Sequence, residues 1–435
     1  MADSASDKGG LTVRAKCVLA AGLTAFVCGL VLREPGLTRG GLLAAALPLV
    51  ALGFVHRARL QVGSRRSVAP DRVNAGESVL VQLVLRNASR LPTGTLMLDD
   101  QLPQQLTGRA RFALDGLAGR EERSVSYRIP ALPRGRYRSG PLRARLTDPF
   151  HFVDVMRSYT ATADFLVGPV IERLPGSDPP RSQDVGDNAG SHSIGSHGAD
   201  DASTREYRVG DDLRKIHWRS TARTGALMVR QEERPWQGRG AVLLDLRASA
   251  HARHEVRDAD PRRSDSLEWA VSAAASIATH LQLHRQDVEL IFDATSRAAL
   301  PLPEPSLVRD TLAVVSSTNE RDLSGLTTQL AHAAREGTLF AILGTPDPVS
   351  LHALLHAHER RADGSAGTGL ALVLDTPTWA GHAPEPDAGP AHDAARRLRA
   401  AGWRATVVVQ GQDVAGAWTA VVHGLSASSV AAVLR

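Results

Sequence analysis

The chain has 435 residues, 43% of them hydrophobic and 22% charged, and its 51 basic and 46 acidic side chains leave a net charge of +5. That is apolar material for about three packed units, and too even a balance of charge for a polybasic nucleic-acid surface, so no nucleic-acid partner is expected. The two cysteines, Cys17 and Cys28, share one apolar run, which excludes a disulfide framework and argues against a thiolate metal site.

Residues 1–59 read as an N-terminal tail followed by two transmembrane helices. No charged side chain occurs from Cys17 to Leu32 or from Gly40 to Val55. Each run falls slightly short of the ~20 residues that cross a bilayer, and flanking residues extend both. Residues 33–39, with Pro35 and Gly36, read as the loop of a helical hairpin. A signal peptide is the rival reading. Against it, no small-residue cleavage site precedes the loop, and a second apolar run follows at once. Lys8, Arg14 and Lys16 precede the pair and Arg57, Arg59, Arg65 and Arg66 follow it, whereas the loop holds only Arg33, Glu34 and Arg39. The positive-inside rule then predicts a multi-pass protein of the cell membrane with the bulk of the chain in the cytoplasm.

Residues 60–172 read as a β-rich, sandwich-like domain. Val79, Val81, Leu83 and Leu85 are spaced by two, and Val125, Tyr127 and Ile129 alternate with Ser124, Ser126 and Arg128. Turn clusters recur around Pro92, Pro133 and Pro149. The basic stretch 134–141 surrounds Tyr137 and can be read as a nucleic-acid patch, but one short stretch cannot supply a phosphate-tracking surface, so it reads instead as turns at Gly135 and Gly140 with arginines on a solvated strand face. Residues 173–202 form a polar linker with almost no large apolar side chain, too poor in apolar surface to order itself. Its His192 and His197 have no ligand-spaced partners.

A dense charged motif occupies residues 203–235. Gly210 and Asp211 support a turn, Asp212 is placed to cap a short helix over Arg214–Arg219, and Leu227–Val229 reads as a strand. Three chemistries fit the side chains. Glu206, Asp211, Asp212 and His217 can hold a metal or act as acid and base. Arg205, Arg214, Arg219 and Arg223 can clamp a phosphate. The mixed charges can also satisfy one another as a structural or partner-binding network, the usual outcome for such density.

The run Arg205-Glu206-Tyr207, Gly210-Asp211-Asp212, Arg214-x-Ile216-His217-Trp218 and Ala222-Arg223 resembles the signature of domain-of-unknown-function family 58. Upstream, Arg134-Gly135-x-Tyr137, Gly140-Pro141 and Asp148-Pro149-Phe150 resemble the same family. The resemblance covers nearly the whole chain. It implies a membrane-bound accessory or assembly factor that works with a MoxR-type AAA+ ATPase and carries a von Willebrand factor A-like C-terminal domain.

Residues 236–435 alternate between strands and helices. Strands are predicted at 241–245, 288–292, 338–343, 370–374 and 405–409, with helices at 266–283, 307–315, 349–358 and 393–401 and a short helix at the end. This order predicts a doubly wound α/β sheet. Asp245 falls at a strand's carboxyl end, where such sheets bind ligands. The resemblance implies Mg²⁺ there, held by Asp-x-Ser-x-Ser. This chain reads Asp245-Leu246-Arg247-Ala248-Ser249, so Asp245 and Ser249 match while Arg247 puts a cation in the way. A degenerate metal site without a confident cofactor is therefore expected. The sequence has neither a P-loop nor a Gly-x-Ser-x-Gly elbow. The expectation is a multidomain, membrane-anchored cytoplasmic scaffold or accessory factor, with the lipid bilayer and the ATPase as partners. The alternative is a metal-dependent hydrolase or an anionic-ligand sensor built on the Arg/Asp/His motif.

Overall fold

A computed structural model describes residues 8–59, 62–90, 92–103, 106, 109–148, 150–176, 204–206, 216, 218–230, 239–252, 264–292, 305–359, 369–384 and 388–424. The chain divides into two compact units, Met1–Val170 with Arg309–Val315, and Ile171–Val308 with Ser316–Arg435. The predicted linker lies outside the described residues from 177 onward.

The first unit opens with β1 (Lys8–Leu11), α1 (Val13–Val31) and α2 (Pro35–Arg59). Both helices begin earlier than the charge-free runs suggested, and the predicted loop 33–39 shrinks to residues 32–34. The reason is local. The Thr12 side chain caps α1 by accepting from the Ala15 N–H at 3.3 Å, and Pro35 is pre-shaped for a first helical turn. A cation near a helix end does not break the backbone ladder, so counting charges underestimated both lengths. The segments Val13–Val31 and Pro35–Gly53, 19 residues each, are long and apolar enough to cross a membrane. They pack very closely. A Cβ on Gly22 would lie 2.6 Å from the Ala45 nitrogen, and one on Gly41 would lie 2.4 Å from the Phe26 nitrogen.

β2 (Val62–Ala69), β3 (Arg72–Asn74), β4 (Val79–Asn87), β5 (Thr95–Asp100), β6 (Ala110–Leu114), β7 (Glu122–Ile129), β8 (Gly135–Ser139), β9 (Leu142–Thr147), β10 (Val153–Tyr159) and β11 (Ala163–Gly168) follow. They form three sheets, ordered β1-β10-β9-β5-β6, β2-β4-β7 and β3-β11-β8. One apolar core serves all three, with Val79, Val81, Leu83 and Leu85 from β4 facing Leu96, Leu98, Leu142, Ala144 and Leu146. Ala15 and Ala51, near the base of the helical pair, join that core. β1 falls in the segment expected as an N-terminal tail. Its sequence, Lys-Gly-Gly-Leu, has no period-two pattern, and only its antiparallel pairing with β10 makes it a strand.

The basic stretch also needs correction. Arg136 and Arg138 are exposed, and Arg138 pairs with Asp164 at 2.7 Å, but Arg134 is buried. Its guanidinium donates to the carbonyls of Leu312, at 3.1 Å, and Val315. These are the carbonyls at the end of α5 (Pro305–Val314), which intrahelical bonds leave unsatisfied and where a cation is favoured.

The second unit holds β12 (Thr204–Glu206), α3 (Trp218–Thr224) and β13 (Met228–Arg230). A five-stranded sheet follows, with β14 (Arg239–Leu244), β15 (Asp287–Ile291), β16 (Thr338–Leu343), β17 (Gly369–Leu374) and β18 (Arg404–Val408). Its order is β15-β14-β16-β17-β18 and every pairing is parallel. In strand-by-strand numbering this is 2-1-3-4-5, a doubly wound order with a switch point between β14 and β16. Strands buried on both faces read as continuous apolar runs, which explains why all five were legible. One face packs Leu243, Ala341, Val373 and Val407 against α6 (Thr327–Glu336), α7 (Pro348–Glu359) and α9 (Pro390–Ala400). α4 (Asp265–Leu283) and α10 (Val414–His423) accompany the sheet as well, and Trp418 of α10 stacks on Phe340 of β16 at 5.7 Å. The short α8 (Thr376–Trp379) and α6 were not anticipated.

Candidate functional site at the sheet switch point

Asp245 follows β14 directly, and its backbone N–H extends the ladder to the Ile342 carbonyl at 3.0 Å. Its side chain is 0% exposed. A carboxylate held so deep requires a partner, and Arg247 supplies it from two residues on, with its side chain 2% exposed. Arg247 Nε donates to Asp245 Oδ1 at 2.9 Å and Nη2 donates to Oδ2 at 2.7 Å, a two-pronged pairing of matched planar groups. The Arg247 backbone N–H adds a bond to Oδ1 at 3.1 Å.

The remaining guanidinium nitrogen reaches across the switch point. Arg247 Nη1 donates to the Arg321 carbonyl at 3.3 Å and to Asp347 Oδ2. Asp347 lies between β16 and α7 and caps that helix, its Oδ1 accepting from the N–H groups of Val349 at 2.9 Å and Ser350 at 3.0 Å. The Ser350 hydroxyl donates to Asp347 and accepts from the Leu323 N–H at 2.9 Å. Burial pushes the Asp347 carboxyl up, but the Ser350 hydrogen bonds and the guanidinium outweigh it and hold the group below the usual carboxylate range. Burial likewise disfavours the charged form of Arg247, and its two carboxylate partners more than compensate.

His251 backs the loop. Its Nε2 lies 2.7 Å from the Asp245 carbonyl, which can only accept, so Nε2 carries the proton and Nδ1 faces the Ser266 hydroxyl at 3.2 Å. Burial pushes the imidazole pKa down, against the opposing pull of the Asp245 carbonyl and carboxylate. A depressed folded value means that stability is complete above the unfolded value of 6.5 and is lost as pH falls through the folded one. Thermal unfolding followed downward from pH 8 is therefore expected to show a decline beginning near pH 6.5, and His251→Gln is expected to flatten it. An identical decline in the variant would assign the effect elsewhere.

The fit to Mg²⁺ is poor. Both oxygens of Asp245 already accept from Arg247, whose permanent charge lies where an ion would need bare oxygen ligands. Ser249 is exposed in the turn beyond Arg247, while Asp245 is fully buried. Among the described residues no group of three or more His, Cys, Asp or Glu side chains is placed to hold a metal ion. Sequence reasoning missed Asp347. Its signal was present as an Asp before Pro348 at the start of a helix, just after an apolar strand.

The charged motif forms a separate small element. β12, carrying Arg205 and Glu206, pairs antiparallel with β13, and Ile216 bridges to Val229. Tyr207, Gly210, Asp211, Asp212, Arg214 and His217 lie outside the described residues. The helix predicted over 214–219 starts only at Trp218, because Ile216 is taken up in an extended bridge. α3 ends at Gly225, whose φ of 74° suits a residue without a Cβ and whose N–H bonds the Thr221 carbonyl at 2.9 Å. The Thr221 hydroxyl accepts from the Met228 N–H at 3.0 Å, tying α3 to β13. Trp218 is left 68% exposed, with Ala222 and Arg223 also exposed.

Residues 203–336, which include this element and the Asp245–Arg247 pair, match the family described as "Protein of unknown function DUF58". That segment of the chain is similar to the family. A relative, the "Uncharacterized protein YeaD" of Bacillus subtilis (strain 168), is 25% identical over 252 residues, covering 55% of this chain and 62% of its own length. The chain thus spans less than two thirds of that relative's length. Among solved structures, the CARDB domain of the PF1109 protein from Pyrococcus furiosus is 15% identical, covering 25% of this chain and 89% of that chain, at a TM-score of 0.18. The alkylpurine DNA glycosylase AlkC of Pseudomonas fluorescens is 15% identical, covering 35% and 45%, at 0.17. Scores at that level establish no shared fold.

Proposed function

We propose that this protein is a membrane-anchored accessory or assembly factor that docks a protein partner through the exposed side of its signature element. Trp218 carries the reading. A tryptophan in the middle of a family signature, 68% exposed on a short helix, has no packing role that explains it. Large aromatics and arginines are the residue types that dominate binding energy at protein interfaces, and Arg223 is exposed on the same helix. The two apolar helices and the flanking Lys and Arg residues support a multi-pass anchor that leaves the bulk of the chain in the cytoplasm. The β-rich unit serves as a sandwich-like spacer. The parallel sheet acts as a von Willebrand factor A-like module with a degenerate metal site. A MoxR-type AAA+ ATPase is the proposed partner.

Capture of that ATPase by the full chain in detergent tests this. Trp218→Ala is expected to weaken capture at least about tenfold, the scale of an interface hot spot, without changing the unfolding temperature, since the side chain is already in solvent. Undiminished capture by the variant would rule out this surface. Cleavage of the bulk of the chain by protease added to intact cells would rule out the orientation.

A further inference from the structure

We infer that Arg247 is a resident internal cation, standing in for a divalent ion between Asp245 and Asp347, and that it makes this sheet edge independent of metals. The inference goes beyond the partner proposed above and does not depend on it.

The geometry has three parts. Asp245 and Asp347 leave the carboxyl ends of β14 and β16, the adjacent strands at which the winding direction reverses. Two carboxylates converging there, one of them fully buried, create a strong demand for positive charge. Arg247 meets it from within the same loop, with Nε and Nη2 on Asp245 and Nη1 on Asp347.

A guanidinium differs from a divalent ion in ways that matter here. It does not dissociate, because it is part of the chain. It does not deprotonate at any physiological pH. It also offers no open coordination position to a partner's carboxylate, since the nitrogens named above are engaged within the site. The Arg321 carbonyl, which accepts from Nη1 at 3.3 Å, adds the loop before Asp322 to the same clamp. The charge balance of this edge is thereby separated from the availability of free Mg²⁺ or Ca²⁺. Without Arg247 the two carboxylates would carry an uncompensated charge of −2, and a divalent ion would then stabilise the fold.

The test is thermal unfolding of the full chain in detergent with EDTA, MgCl₂ or MnCl₂. The wild-type protein is expected to unfold at one temperature in all three. Arg247→Ser is expected to unfold several degrees lower in EDTA and to recover part of that loss in millimolar Mn²⁺ or Mg²⁺. The double variant Asp245→Asn with Arg247→Ser is expected to lose the recovery. Arg247→Lys keeps the charge with fewer donors and is expected to fold, less stably, with no response to ions. A wild-type protein that EDTA destabilises and Mg²⁺ restores would overturn the inference. So would an Arg247→Ser variant that is folded but indifferent to divalent ions, or one that stays unfolded at every ion concentration.

Discussion

Asp245→Ala is expected to lower the stability of the α/β unit by about 3–5 kcal/mol, the cost of leaving a buried charge without its partner. Arg247 would keep its Nη1 bond to Asp347 while its buried Nε and Nη2 lose both side-chain bonds to Asp245. At roughly 2–4 °C per kcal/mol for a domain of this size, the unfolding temperature should fall by on the order of 10 °C. Asp245→Asn, which keeps one acceptor oxygen, should lose less. Replacing both members together, as Asp245→Leu with Arg247→Met, should recover much of the loss, because no charge then remains buried. Calorimetry on the full chain in detergent distinguishes these variants. An Asp245→Ala protein within about 1 kcal/mol of the wild type would mean that the guanidinium escapes to water and that the pair does not hold the loop.

Asp100→Ala should cost about as much in the β-rich unit, again about 3–5 kcal/mol, for a related reason. Asp100 ends β5 in the five-stranded sheet and is 0% exposed, while Arg66 of β2, 3% exposed, grips it with both terminal nitrogens. Tyr127 of β7 donates its hydroxyl to the same carboxylate. Ser139 of β8 accepts from Arg66 Nη1 at 2.5 Å and lies 3.3 Å from the Tyr127 oxygen. The Asp100 carboxylate therefore ties its own sheet to the β2-β4-β7 sheet, and Ser139, through Arg66 and Tyr127, adds the third, in a place where water does not reach. Burial and the neighbouring Asp100 push the Tyr127 pKa well above its ordinary value, so the phenol stays protonated and keeps donating. Tyr127→Phe removes one donor but no charge and is expected to cost about 1–2 kcal/mol. Denaturant unfolding followed by tryptophan-independent circular dichroism checks both. Equal effects for Asp100→Ala and Tyr127→Phe would contradict the central role given to the carboxylate.

This network also accounts for a motif that sequence reading recognised without explaining. Gly140 of the Gly140-Pro141 pair has φ of 99°, and a Cβ there would lie 2.9 Å from the Arg66 guanidinium carbon. Glycine is required both by the backbone and by the buried arginine. Asp148 of the last upstream motif has a comparable local role, since its side chain accepts from the N–H groups of Phe150 at 3.0 Å and Val153 at 2.6 Å. Arg134 shows the limit of such reading. A basic stretch around a tyrosine looks solvated until the chain brings a helix end, nearly 180 residues later, against one of its arginines.

Periodicity and composition alone determined the two apolar helices, the alternating strand at β4 and the five buried strands of the parallel sheet, while the conflict between Arg247 and a metal ion was legible only against the metal motif that the family resemblance implies. Each of these is a local matter, expressed within a few neighbouring residues as burial on one face, burial on both, or like charge at a ligand position. Tertiary structure alone decided that Lys8–Leu11 is a strand, that Ile216 is bridged instead of helical, that Asp347 completes the site begun by Asp245, and that Arg66, Asp100, Tyr127 and Ser139 meet. Those features depend on pairings between distant segments, and a buried polar group reveals its role only when the partner that satisfies it is in place.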